Sequence, residues 1–410
     1  MIRYHASWIL PIAEPPIRDG WIVTEGNRIV AYGAYGAVTR RAASHAESAE
    51  MDLGQVAVLP GLVNAHTHLE LSYLRDEVSP ASEFLDWIRS VVAARQQRGS
   101  PTAPAILDAM DEAIAESAAS GTAVVGDISN TLVSFPALVR SPLAAVVFFE
   151  VLGFNITDPD ALVEHACDEI EALGATDRVR TSLAAHAPYS VAPLVFRAIR
   201  KAIDRAPFAP CSVHLSESIE EVEFIRTGGG PWRGFLKEIG VWNNEWIPPG
   251  VSPVQFLDDS GFLDARVLAV HGVQMTPADL SRLASRGATL VTCPRSNGHT
   301  GAGAPPIEDF YESGVHVAVG TDSLASAPDL SVFAELATLR ALAPSVPASK
   351  LLASATIEGA RALGFDADYG TIEPGKSARL VAVDIPAGIV DVEEYLVSGV
   401  HRDQIMWIER

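Results

Sequence analysis

The chain has 410 residues, of which 48% are hydrophobic and 20% charged, enough for one large domain with an appendage or for two to three small domains. Its net charge of −21 argues against nucleic acids and anionic membranes as partners, because both would repel an acidic surface. We predict a cytoplasmic protein from three features of the sequence. The three cysteines are widely spaced, the first residues lack the pattern of a signal peptide, and no apolar run reaches about 18 residues.

Residues 1–57 have the pattern of short alternating strands, with turn residues such as Asn27 between them. Residues 40–49 are small and polar, which predicts an exposed loop. The predicted strands are Ser7–Pro11, Gly20–Glu25, Ile29–Gly33 and Glu50–Leu53.

From residue 58, apolar β-rich runs alternate with amphipathic segments typical of helices. Buried strands joined by helices indicate a parallel sheet covered on both faces, and eight such units in about 270 residues match a (β/α)8 TIM barrel. An open doubly wound sheet is the alternative, although no GxGxxG motif follows the first strand. The eight runs are Val58–Val63, Thr122–Asp127, Ala144–Leu152, Val179–His186, Cys211–His214, Arg266–His271, Ala288–Cys293 and Val315–Gly320. The predicted helices include Ala105–Ala119, Ala161–Leu173, Pro193–Ala206 and Pro277–Arg286.

After Arg361 the pattern of short strands returns, with a turn-rich link leading into the apolar run Leu380–Asp384. We therefore predict an α/β protein in which a barrel spans residues 58–363. Residues 1–57 and 364–410 are predicted to pair into a small β-sandwich domain.

Two histidines, His66 and His68, follow the first barrel run. Because strand side chains alternate with a period of two, both imidazoles lie on the same side of the backbone and form half of a transition-metal site. The carboxyl ends of barrel strands meet at one mouth, so ligand-type residues at later strand ends would join them there. Those residues are His186, His214, His271 and Asp322.

Each of these residues also has a purely structural interpretation. The alternatives are strand-end caps for His66 and His68, a core histidine for His214, a turn for His186, a hydrogen-bonding neighbour for His271 and a helix N-cap for Asp322.

Six motifs occur in order along nearly the whole chain: Pro60–His68, His186–Ser190, His214–Glu217, His271–Gly272, Cys293–Asn297 and Gly320–Ser323. Together they resemble the amidohydrolase superfamily, and within it the deaminase and chlorohydrolase branch. The resemblance implies that His66, His68, His214 and Asp322 ligate a metal. Two-metal members use a carboxylated lysine after strand four, and this sequence has no lysine before Lys201, so one metal is expected. The donor set suits Zn²⁺, with Fe²⁺ as the alternative.

A bound metal lowers the pKa of its water from 15.7 towards about 7, so the expected nucleophile is water. Glu217 lies three residues after His214 and can share the site without ligating. We predict that Glu217 protonates a ring nitrogen of the substrate and carries a proton to the leaving ammonia. His271 is predicted to orient the water, and Asp322 both to ligate the metal and to take the proton of the water.

Other side chains near the barrel mouth are predicted to bind the substrate. Glu70 would bind a sugar hydroxyl or amine, unless it is a solvated loop acid. Trp87, in a predicted lid helix, would stack on a base or pack in the core. Arg295 would bind a carboxylate with both nitrogens or form a structural ion pair. The full set is Glu70, Trp87, His186, Arg295 and Asn297.

Within the branch, the runs at residues 66–70 and 293–297 and an insertion at 226–258 are most similar to aminodeoxyfutalosine deaminases of the menaquinone route. This resemblance implies hydrolytic deamination of an adenine-containing nucleoside, a small-molecule partner; homo-oligomerisation is left open. Alternatives in the same branch are deamination of S-adenosylhomocysteine or methylthioadenosine, triazine-type dechlorination and guanine deamination. A cyclic amidase and a non-catalytic metal-binding relative also stay open.

Overall fold

The computed structural model describes residues 1–35, 49–174, 176–206 and 209–408. The loop predicted over residues 40–49 therefore lies outside the described residues, except for Ala49. None of the helices in the described part of the chain combines the length and hydrophobicity that crossing a membrane would require.

Segments from both ends of the chain form one mixed sheet of seven strands within the described residues. The strands follow one another across the sheet in the order 405–407, 380–384, 56–60, 2–9, 17–25 and 28–34, and residues 49–52 pair in parallel with residues 2–9. This arrangement confirms that the two termini build a separate β structure beside the barrel. Its strands are β1 (Ile2–Ile9), β2 (Ile17–Glu25), β3 (Arg28–Ala34), β4 (Ala49–Asp52), β5 (Val56–Pro60), β14 (Leu380–Asp384) and β15 (Ile405–Trp407).

The predicted barrel is confirmed: the described residues form eight parallel strands in sequence order. The last strand returns to the first, because the backbone N–H groups of Thr321 and Asp322 both donate to the carbonyl of His66 at 3.0 Å. Most strand residues are buried on both faces, which explains their near-continuous apolar character. The strands are β6 (Leu62–Thr67), β7 (Thr122–Ser129), β8 (Ala144–Val151), β9 (Val179–Ala185), β10 (Cys211–Leu215), β11 (Val267–His271), β12 (Thr289–Thr292) and β13 (His316–Val319).

The prediction of Val58–Val63 as the first barrel strand was wrong. Residues 56–60 pair with β14 in the terminal sheet, and the barrel strand begins only at Leu62. Gly61 separates the two strands where a Cβ would come within 2.6 Å of the Cβ of Ala123. Both strands are fully buried, so hydrophobicity does not reveal the break. The domain limits stay a prediction, and this pairing favours a boundary after Pro60.

Helices cover the outside of the barrel and its mouth, and several begin with proline in the first turn, where its missing N–H costs nothing. The four helices predicted from sequence are confirmed within two residues at each end. The helices are α1 (Phe84–Arg98), α2 (Pro104–Ala119), α3 (Ser134–Arg140), α4 (Pro159–Leu173), α5 (Pro193–Arg205), α6 (Ile219–Thr227), α7 (Gly230–Glu238), α8 (Pro253–Asp259), α9 (Pro277–Arg286), α10 (Pro294–Thr300), α11 (Ile307–Glu312), α12 (Val332–Leu342), α13 (Ala348–Ser354), α14 (Ile357–Ala362) and α15 (Val392–Val397).

Candidate active site

Three histidines and one aspartate converge at the carboxyl end of the barrel. His66 and His68 lie at the end of β6 and just beyond it, His214 lies in β10, and Asp322 follows β13. Asp322 Oδ1 is 3.9 Å from His66 Nε2 and 3.6 Å from His68 Nε2. The Nε2 atoms of His68 and His214 are 3.4 Å apart. Two overlapping triads, His66–His68–Asp322 and His66–His214–His271, each bring their ligand atoms within 4.8 Å of one another, so this cluster could hold a cation.

The chemistry of this donor set fits a divalent metal. His66 is fully buried, and neither of its ring nitrogens has a hydrogen-bond partner among the described residues. Burial lowers the pKa of His66 well below its usual value, so the ring is neutral and offers a lone pair. The hydroxyls of Ser296 and Ser326 donate to Asp322 Oδ2 at 2.5 and 3.2 Å, which leaves Oδ1 facing the histidines.

The backbone is strained at three positions around this cluster. Ser216, His271 and Asp322 adopt φ values of 53°, 76° and 59°. These values lie in the left-handed region, which residues other than glycine rarely occupy. Strained residues of this kind collect at functional sites, where the surrounding fold holds them in place. Here each one follows or ends a barrel strand and turns its side chain or that of its neighbour to the mouth.

His271 lies between Asn297 and Glu217. The Asn297 side-chain amide lies 3.0 Å from His271 Nδ1, and Glu217 Oε2 lies 3.6 Å from His271 Nε2. Burial lowers the pKa of His271 to about 3, so the ring carries a single proton. If the amide donates to Nδ1, that proton sits on Nε2 and points to the Glu217 carboxyl.

Glu217 itself is buried, and its pKa lies well above the usual value because of burial, with smaller contributions from the charges of Asp322 and Glu221. Glu221, at the start of α6, accepts the backbone N–H groups of Ser216 and Glu217, each at 2.9 Å. The sequence analysis missed Glu221, although an acid four residues after Glu217 in a first helical turn was a visible signal.

A cavity of about 550 Å³ opens onto these residues. We call His68, His214, Glu217, His271 and Asp322 the cavity floor, because all five line its polar end. The lid helix predicted from sequence is α1, and the insertion contributes α7. We call the cavity-lining side chains of these two helices the cavity roof; they include Trp87, Arg95, Trp232 and Phe235.

Two of the predicted substrate-binding residues line the cavity. Trp87 does so from the roof. His186 lies beside the floor, where its carbonyl accepts a hydrogen bond from His214 Nδ1 at 2.8 Å. Burial lowers the pKa of His186 to about 4, so this ring is neutral as well.

The other three predicted substrate-binding residues are not among those that line the cavity. Glu70 accepts four hydrogen bonds from residues 129–131. Asn297 contacts His271 instead. Arg295 contacts Glu335 Oε1 at 2.6 Å and Asp329 Oδ1 at 2.8 Å, which is the structural ion pair that the sequence left open.

The sequence analysis also missed a polar chain that joins roof and floor. Arg95 Nη1 donates to Asn130 Oδ1 at 3.1 Å, and Asn130 Nδ2 donates to Glu150 Oε2 at 2.7 Å. Glu150 Oε1 lies 3.6 Å from His214 Nδ1. Glu150 is the last but one residue of the apolar strand β8, so its position near a strand end could have identified it.

Comparison with known proteins agrees with this geometry. The Amidohydrolase family model matches residues 57–401. The chain belongs to the amidohydrolase family. As an amidohydrolase it is a hydrolase acting on carbon–nitrogen bonds other than peptide bonds, as the sequence predicted.

Among its amidohydrolase relatives, the aminodeoxyfutalosine deaminase of Deinococcus radiodurans is 33% identical over 364 residues, which cover 84% of this chain and 81% of the relative. A 5-methylthioadenosine/S-adenosylhomocysteine deaminase of Moorella thermoacetica is 29% identical, with 92% and 84% covered. The crystal structure of a Xanthomonas campestris adenosine deaminase with bound zinc superposes with a TM-score of 0.82 at 27% identity, over 98% of this chain and 90% of that one.

Proposed function

We propose that this amidohydrolase is a metal-dependent deaminase of adenine-containing nucleosides, with aminodeoxyfutalosine as its substrate. The observation that carries the proposal is the buried, high-pKa carboxyl of Glu217 beside a cluster of neutral imidazoles at the bottom of a cavity large enough for a nucleoside. Its similarity to nucleoside deaminases supports the reaction class and a small-molecule substrate.

His66, His68, His214 and Asp322 would hold the metal, with Zn²⁺ favoured by three imidazoles and one carboxylate and Fe²⁺ as the alternative. When bound, a divalent cation supplies a water whose pKa is lowered from 15.7 to about 7.

The protons are moved by the side chains of the cavity floor. Burial raises the pKa of Glu217 and favours its protonated form, which donates to a purine ring nitrogen. The resulting carboxylate takes the proton of the hydroxyl group formed at the attacked carbon and passes it to the departing amino group, which leaves as ammonia. Asp322 Oδ1 accepts the first proton that the attacking water releases, and this proton returns to Glu217 when the products leave. His271 Nε2, held by Asn297 at the opposite nitrogen, orients the water and stabilises the developing negative charge.

A second substrate class has specific support. The methylthioadenosine/S-adenosylhomocysteine deaminase of Moorella thermoacetica covers more of this chain, at lower identity, than the aminodeoxyfutalosine deaminase of Deinococcus radiodurans. Both reactions would use the same floor residues, so the choice between them lies with the roof.

The test is ammonia release by the purified, metal-analysed protein. The panel contains aminodeoxyfutalosine, S-adenosylhomocysteine, methylthioadenosine, adenosine and guanine, together with a chlorotriazine assayed for chloride. We expect the highest kcat/KM with aminodeoxyfutalosine. Release from no purine by metal-loaded protein would overturn the reaction class, and a preference for methylthioadenosine would overturn only the substrate.

A further inference from the structure

The cavity has an asymmetric charge distribution. Among the described residues that line it, Arg95 is the only arginine or lysine. Three acidic residues, Glu150, Glu217 and Asp322, line it too, and each of them is less than 8% exposed. The Arg95 side chain is 39% exposed, which places the single cation nearer the mouth than the acids.

Arg95 is held in place and keeps donors for a ligand. It lies in the last turn of α1, with Nη1 donating to Asn130 and Nη2 3.6 Å from Glu70 Oε1, beyond hydrogen-bond distance. Glu70 already accepts four hydrogen bonds from residues 129–131. Glu70 therefore orients the guanidinium without using up its hydrogen-bonding capacity.

The cavity surface next to Arg95 is mostly apolar. Trp87 and Val91 lie on the same face of α1 as Arg95, at intervals of four residues. Three aliphatic side chains that line the cavity, Leu152, Ile156 and Ile239, are 38–47% exposed and would be covered by a ligand.

We propose that the roof is a subsite for a nucleoside extension that has an apolar body and ends in a carboxylate, and that Arg95 binds this carboxylate. This inference rests on the proposed function and specifies its substrate class. Since Arg95 is the only arginine or lysine among the described residues that line the cavity, it is the side chain there that attracts a ligand carboxylate.

The test compares two synthetic probes, 5′-S-(4-carboxybenzyl)-5′-thioadenosine and its carboxamide, which differ only in the terminal charge. We expect Arg95→Met to lower the acid-to-amide ratio of kcat/KM about 10- to 100-fold, as the loss of a hydrogen-bonded ion pair does. Arg95→Lys is expected to retain part of the preference, because it keeps the charge but not the two-pronged geometry.

Arg98→Met is the matched control. Arg98 lies on the same helix with a side chain 40% exposed, contacts Glu77 at 2.9 Å and is not among the residues that line the cavity. It should leave the ratio at the wild-type value. An equal ratio in the wild type and Arg95→Met would overturn the subsite while ammonia release continues. If the metal-loaded wild type releases ammonia from neither probe, the proposed function itself would be overturned.

Discussion

The floor and the roof of the cavity are built in different ways. Each floor residue lies at or just after a barrel strand, and the backbone itself fixes its direction: Asp322 N–H is bonded to the carbonyl of His66, and His214 Nδ1 to that of His186. The roof is formed by side chains of α1 and α7, which are positioned by aromatic packing rather than by backbone hydrogen bonds. For example, the Trp232 ring of α7 stacks on the Tyr189 ring, with 3.7 Å between the ring centroids. The comparison indicates that the floor determines the reaction and the roof the substrate.

The largest effect is expected at the floor. Glu217→Gln should lower kcat by about 10²- to 10⁴-fold, because it removes the proton carrier. Metal content and the unfolding midpoint should stay near wild type. Glu220→Gln, on the next helix and without a hydrogen bond to the site, is the matched control. Full turnover by metal-loaded Glu217→Gln would contradict the role of this residue.

The next effect separates stability from catalysis. Arg295→Met leaves the fully buried Glu335 without its cation and should destabilise the fold by about 3–5 kcal/mol in denaturant unfolding. The loss should grow as the pH rises above about 7, the value to which burial raises the pKa of Glu335 beside Arg295. Above it the wild-type carboxylate is stabilised by Arg295, whereas the variant must keep the carboxyl protonated or bury an unpaired charge. A selective loss of kcat/KM for acidic substrates would instead restore Arg295 as a binding residue.

A smaller effect is expected where the floor is held from outside the cavity. Asn297→Ala frees His271 Nδ1 and should lower kcat about 10- to 100-fold with little change in KM, since groups that orient site histidines have effects of this size. Asn297→Asp should also be impaired, because a carboxylate at this place draws the proton to Nδ1. Wild-type kcat in both variants would show that the ring needs no such support.

The smallest expected effect is a shift in the pH profile. The active form of Glu217 is the acid, and burial raises its pKa, so the rate should be highest below that pKa and fall as the pH rises through it. Glu221→Gln removes a neighbouring negative charge, lowers the pKa of Glu217 and should move this alkaline limb to lower pH. An unmoved limb would mean that Glu221 acts only through its two backbone contacts.

The two regions also differ in what the sequence could reveal. The residues at strand ends, from His66 to Asp322, were predicted and are brought together by the structure, because a parallel strand carries its last side chains to a common edge. The roof was predicted as a helix with Trp87, but no role was assigned to Arg95 in that helix, and Glu70 and Arg295 were assigned to the substrate. The charge and size of a side chain do not show which partner it will meet.

The sequence by itself determined the barrel, the place of each chemical group along the strands and hence the reaction class, since these depend on periodicity and strand direction, which are local properties of the chain. Only the tertiary structure decided which polar residues face the cavity. Whether Arg295 or Arg95 meets a ligand depends on where Glu335, Asn130 and Glu70 lie, and contacts between segments that are distant in the chain fix those positions.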